Sequence, residues 1–165
     1  HDTVLMASRI LRDKGVKEYC EAADLYRKKY NDQIKFLLAG PIDEYSPTSI
    51  SEEEILTLCK KNGVSYLGNR SDLNELLSRA TIFVLPSYYQ EGIPKVLIEA
   101  SACGIPIITT DHPGCRDAVI EGKTGLLVEA RNKEVIVTAL NRLLDNHEYS
   151  AEMGRQAHQL SLIHI

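Results

Sequence analysis

The chain of 165 residues has no tryptophan, only two phenylalanines, and no basic block longer than Arg27-Lys28-Lys29. A nucleic-acid binder normally shows a clustered positive footprint, and a net charge of −4 from 23 acidic and 19 basic groups supplies none. No apolar run approaches the ~20 residues that a membrane span needs. The four cysteines, Cys20, Cys59, Cys103 and Cys115, form no C-x-x-C, and only His112 and Cys115 stand at ligand-like spacing. Neither a zinc site nor a redox motif is written locally, so buried free thiols are the expectation. Three signatures of other chemistries are also missing. Without G-x-G-x-x-G or a Walker A loop, ordinary dinucleotide or ATP use is disfavoured, and without G-x-S-x-G so is a nucleophile-elbow hydrolase.

What is present is the composition of a folded domain, 44% apolar and 25% charged. The length suits one domain and excludes two full-size ones. The chain starts His1-Asp2-Thr3 with no initiator Met, basic n-region or cleavage site, which reads as a truncated chain from a cytosolic protein. Short apolar runs alternate with longer stretches of helical period, the pattern of βαβ units and a parallel sheet. Strands are expected at Thr3 to Ala7, Ile34 to Ala39, Val64 to Leu67, Thr81 to Leu85, Pro106 to Thr109 and Gly125 to Val128. Helices are expected at Gly15 to Lys29, Ser51 to Lys61, Ser71 to Arg79, Pro94 to Cys103, Cys115 to Val119 and Lys133 to Leu144. Most strand segments are continuously apolar, as strands covered on both faces must be, so the expected fold is an α/β, doubly wound, six-stranded parallel sheet of Rossmann type. Ser51 and Ser71 read as N-caps. Gly40 to Ile50 reads either as a substrate-facing loop or as a plain surface excursion. The stretch 150–165 reads as frayed or non-native, Ser161 to Ile165 most of all, and His147, His158 and His164 receive no role.

In such a sheet the ligand binds beyond the carboxyl ends of the strands. Those tips carry Arg9 and Lys14-Gly15, then Gly68-Asn69-Arg70, then Gln90-Glu91-Gly92, then Thr110 to Gly114. Arg9 and Lys14 beside a glycine suit a diphosphate, guanidinium as a bidentate fork and ammonium as a point charge; two solvated surface cations are the competing reading. In Glu91-Gly92-Ile93-Pro94-Lys95-Val96-Leu97-Ile98-Glu99, Pro94 suits a first helical turn whose free N–H groups attract an anion. Eight residues of helix span roughly 12 Å, beyond the ~5 to 9.5 Å of a glycosidase carboxylate pair. The two glutamates therefore either grip separate hydroxyl sets of one extended ligand, as acceptor-only groups do, or are ordinary solvated charges. His112-Pro113-Gly114 and Gly122-Lys123-Thr124-Gly125 read as turns.

The order Ala7-Ser8-Arg9 to Lys14-Gly15, Phe36-Leu37-Leu38-Ala39-Gly40, Leu67-Gly68, Leu85-Pro86-Ser87, Glu91-Gly92-Ile93-Pro94 with Glu99-Ala100, Cys103-Gly104-Ile105-Pro106 and Gly122 to Val128 resembles a known family. It looks like the C-terminal, donor-binding domain of retaining GT-B-fold glycosyltransferases of family 4. The resemblance implies that 1–165 is one half of a GT-B fold, with the N-terminal acceptor domain absent, and that the isolated half is inactive in transfer. It implies that Arg9 and Lys14 hold and stabilise the donor diphosphate, and that Glu91 binds the sugar with Gly92 and Ile93. Val96 and Leu97 would offer amides to the phosphates, Glu99 would accept from the ribose, and Gly68, Asn69 and Arg70 would lie by the base. No metal or other cofactor is implied. Pro106 to Asp117 resembles bacterial surface-polysaccharide enzymes that use UDP-sugars on saccharide or lipid-linked acceptors, a peripheral task at the cytoplasmic membrane face. A non-catalytic nucleotide-sugar-binding module of the same fold is the alternative.

Overall fold

A computed structural model of the chain describes residues 2–163; His1, His164 and Ile165, with the expectations placed on them, lie outside the described residues. The six strands are β1 (Thr3–Ala7), β2 (Lys35–Ala39), β3 (Ser65–Tyr66), β4 (Ile82–Leu85), β5 (Ile107–Thr110) and β6 (Gly125–Val128). They pair in parallel in the order β3-β2-β1-β4-β5-β6. This is the doubly wound order expected, and the reversal of winding falls between β1 and β4. Every residue of β4 and β5 is buried, because helices cover both faces.

The helices are α1 (Val16–Lys29), α2 (Glu52–Asn62), α3 (Leu73–Arg79), α4 (Lys95–Ala102), α5 (Lys133–Leu144) and α6 (His147–Ile163). α1 packs on α2 and α5, and α4 on α3 and α6, which gives the two layers. Tyr19 of α1 lies fully buried against the sheet and donates its hydroxyl to the Leu37 carbonyl at 2.7 Å, with the Val4 carbonyl 3.2 Å away. Ser51 caps α2 by accepting from Glu54 N–H at 3.1 Å, as expected. Ser71 does not cap α3, which starts at Leu73 after Asp72. The Asp72 carboxylate turns instead to Arg70, Nε to Oδ1 at 2.9 Å and Nη2 to Oδ2 at 2.6 Å.

Two expected elements differ. Cys115 to Val119 holds only a 3₁₀ turn, Arg116–Ala118, because the backbone turns extended at Val119 (φ −134°, ψ 138°), which buries its β-branched side chain. The frayed reading of 150–165 fails over the described part, where α6 runs unbroken to Ile163. Its inward positions are Ser150, Met153, Gly154, Ala157 and Ser161, so its buried stripe has helical spacing but mostly small residues. His158 Nδ1 donates to the Ala102 carbonyl at 2.9 Å and fastens α6 to α4. Cys20, Cys59 and Cys115 are buried and Cys103 half-buried, all as free thiols. No described helix is long and apolar enough to cross a membrane.

Candidate functional site

The carboxyl ends of β1, β2 and β4 surround a cavity of about 290 Å³ lined by Ala7, Ala39 and Leu85. It lies where the topology puts ligand sites in this architecture, at the switch between β1 and β4. Ser8, Gly40 and Pro41 form one wall, Asn69, Arg70 and Leu73 a second, and Lys14, Glu91, Pro94, Lys95 and Val96 a third.

Two glycines hold the third wall in place. A Cβ on Gly15, at φ +84°, would stand 2.2 Å from the Pro86 carbonyl oxygen, so only glycine lets the turn carrying Lys14 press against the β4 tip. A Cβ on Gly114, at φ +89°, would stand 2.5 Å from the carbonyl oxygens of both Glu91 and Gly92. The His112-Pro113-Gly114 turn is thus the backing for the Glu91 loop. His112 itself stays off the cavity, its Nδ1 3.2 Å from the Pro113 carbonyl.

The cations do not stand alone. Lys14 is nearly buried, its side chain 8% exposed, and its ammonium pairs with the Glu91 carboxylate, which is 27% exposed. Arg9 pairs with Asp43 of the β2–α2 loop, Nη1 to Oδ2 at 3.1 Å. Both cations sit over the Tyr89 ring, Lys14 Nζ at 4.6 Å and Arg9 Cζ at 5.3 Å from its centroid, a geometry in which ring and cation attract. Contact with Tyr89 and then Asp43 pushes the Arg9 guanidinium further above its ordinary range. The Arg70 contact holds the Asp72 carboxyl below the usual carboxylate range, so that pair is a charge-neutral part of the second wall.

α4 begins without a side-chain cap: Pro94 has no N–H, and the amides of Lys95 and Val96 find no protein acceptor among the described residues. An uncapped helix N-terminus offers N–H groups and a positive dipole end to an anion. The third wall therefore combines bare amides, a buried ammonium and Lys95 in one place.

Of the residues singled out from sequence, Lys14, Asn69, Arg70, Glu91 and Val96 line the cavity, and Arg9 stands at its rim, next in chain to the lining Ser8 and sharing the Tyr89 ring with Lys14. Leu97 is fully buried, backbone included, and its N–H already donates to the Pro94 carbonyl at 3.0 Å. The Gly68 carbonyl accepts from Gly40 N–H at 2.8 Å. Gly92 is exposed and Glu99 half-buried on α4, both off the cavity wall. Ile93 turns away from it into a second groove shared with Ile98 and Leu160 beside α6. Tyr89, Asp43 and Lys95 were missed. Tyr89 carries no sequence signal beyond its place after β4, and Asp43 was visible only as one residue of a long loop.

A family model described as glycosyl transferases group 1 matches residues 1–160. The chain belongs to that family. Among curated relatives of this glycosyltransferase domain, the N,N'-diacetylbacillosaminyl-diphospho-undecaprenol alpha-1,3-N-acetylgalactosaminyltransferase of Campylobacter jejuni is 38% identical, covering 96% of this chain and 40% of that protein. The capsular polysaccharide biosynthesis glycosyltransferase CapM of Staphylococcus aureus is 31% identical over 88% of this chain and 37% of that protein. The chain spans about two fifths of the length of these relatives. Sucrose-phosphate synthase from Thermosynechococcus elongatus has the same fold, with a TM-score of 0.85 at 27% identity, over 98% of this chain and 41% of that one.

Proposed function

We propose that the cavity at the β1–β4 switch is the donor site of a retaining glycosyltransferase that takes a nucleotide-diphospho-sugar, UDP-linked and N-acetylated. The observation carrying this reading is the open N-terminus of α4 on the cavity wall beside Lys14, which is an anion site by construction. The diphosphate lies there, against the amides of Lys95 and Val96 and the charges of Lys14 and Arg9. As the glycosidic bond breaks, negative charge grows on the leaving diphosphate, and these fixed positive groups stabilise it without reorganising. No resident metal is needed for that step, and EDTA is expected to leave donor binding unchanged. Glu91 accepts hydroxyls of the transferred sugar, the Gly68 to Arg70 segment borders the base, and the ribose extends past the cavity wall to Glu99, which accepts its hydroxyls. The sugar leaves and is attacked on the same face.

The cavity lies at the bottom of the ~300–1,000 Å³ range of ligand pockets, smaller than a whole nucleotide sugar, so the sugar end projects toward an acceptor site on a second domain. The Campylobacter jejuni relative is by name an N-acetylgalactosaminyltransferase that acts on a sugar linked to diphospho-undecaprenol. That supports a lipid-linked saccharide acceptor and work at the cytoplasmic membrane face.

Calorimetric titration of the chain with UDP, GDP, UDP-N-acetylglucosamine and NAD tests the reading. UDP and the UDP-sugar are expected to bind and NAD not. Replacing Arg9 and Lys14 together by Ala is expected to weaken UDP at least about tenfold and flatten its salt dependence. Glu99→Ala should weaken UDP itself, whereas Glu91→Ala, which frees the Lys14 ammonium, should remove the extra affinity due to the sugar without weakening UDP. Unchanged UDP affinity in the double variant would sink the diphosphate assignment.

A further inference from the structure

The β2–α2 loop is fastened at both ends to the segment that follows β1. Ile10 N–H donates to the Pro41 carbonyl at 3.0 Å, and Arg12 N–H to the Thr48 carbonyl at 2.8 Å. Thr48 Oγ1 adds a bond to Asp13 Oδ1 at 2.8 Å. Between these anchors residues 43–46 form a projecting turn, with Tyr45 at its crest 95% exposed. The anchoring sets Asp43 over Arg9, and since Arg9 follows the cavity-lining Ser8 and shares the Tyr89 ring with the cavity-lining Lys14, the Arg9–Asp43 pair stands at the cavity rim.

Two carboxylate–cation pairs of the site, Lys14–Glu91 and Arg9–Asp43, differ in how exchangeable they are. The Lys14 side chain is 8% exposed beside a Glu91 that is 27% exposed, whereas the Arg9 side chain is 43% exposed beside an Asp43 that is 29% exposed. Each pair is a single contact, and the difference lies in how far water reaches the cation. A single-contact, water-exposed pair is held weakly. A diphosphate brings more charge and several acceptor oxygens, which a guanidinium fork grips bidentately.

We propose that Asp43 and the donor diphosphate are alternative partners of Arg9, so that Asp43 acts as a built-in competitor that lowers diphosphate affinity and hastens its release. The inference rests on the donor-site reading above. It makes Asp43 a positioning residue that acts through Arg9. The neighbouring Glu44 carboxylate makes no ion pair among the described residues and serves as the control for charge alone.

The test is a calorimetric cycle with UDP on the unaltered chain, Asp43→Asn, Arg9→Ala, the double variant and Glu44→Gln. Asp43→Asn is expected to tighten UDP about two- to fivefold, and the gain should vanish in the Arg9→Ala background, since a cycle isolates the coupling between the two sites. Glu44→Gln should give less than half of that gain. UDP binding that is unchanged or weaker in Asp43→Asn overturns the proposal, as does a gain that survives loss of Arg9 or is matched by Glu44→Gln. Failure of the underlying reading looks different: the unaltered chain would then bind no UDP, or Arg9→Ala would bind it as well as the unaltered chain.

Discussion

Removing one member of the Lys14–Glu91 pair is not equivalent to removing the other. Glu91→Ala would leave a nearly buried ammonium without its carboxylate, whereas Lys14→Met would leave a carboxylate that already reaches water near the N-terminus of α4. An uncompensated buried charge is the expensive outcome, and the partial exposure of Glu91 reduces it. We expect a loss of about 2–3 kcal/mol for Glu91→Ala and about 1 kcal/mol for Lys14→Met in urea unfolding; equal losses would mean that Lys14 reaches solvent on its own. At this scale the sequence placed both residues at strand tips but assigned them separate ligands. Their contact depends on Gly15 seating against Pro86 and Gly114 backing the Glu91 loop, approaches between segments about 70 and about 20 residues apart in the chain that no local pattern encodes.

Helix α6 shows the same limit for an element. Its inward stripe of Ser150, Met153, Gly154, Ala157 and Ser161 has helical period but little apolar mass, so a search for hydrophobic spacing passes over it. The small residues are there because α6 crosses the chain closely: a Cβ on Gly154 would stand 2.2 Å from the Gly104 carbonyl oxygen. Alanine ordinarily favours a helix over glycine by about 1 kcal/mol. Here the clash with rigid backbone outweighs that, and Gly154→Ala is expected to cost about 1–3 kcal/mol and lower Tm. A raised Tm would show that α6 sits further from the Gly104 turn. The helices that were legible, such as α1 and α5, bury large residues, including Tyr19 and Tyr26 in α1 and Ile136, Leu140 and Leu143 in α5.

For the molecule as a whole, Tyr19 ties α1 to the carbonyls of two central strands, and burial pushes its hydroxyl well above the ordinary value of 10.0. Above that value the unfolded tyrosine releases its proton while the native one keeps it, so the unfolded state binds fewer protons and stability falls as pH rises. The stability advantage over Tyr19→Phe is expected to be full at pH 8 and to shrink above about pH 10 in unfolding measurements; an advantage constant to pH 11.5 would exclude the linkage. The sequence by itself determined the alternation of strand and helix, the doubly wound class and the strand tips as the site, because apolar runs, periodicity and turn residues are local and each element must bury its own face. Only the tertiary structure decided which charges meet, Lys14 with Glu91 and Arg9 with Asp43 around Tyr89, and that α6 closes the α4 layer. Those contacts depend on where distant segments come to rest, and packing and electrostatics between such segments leave no periodic trace in the chain.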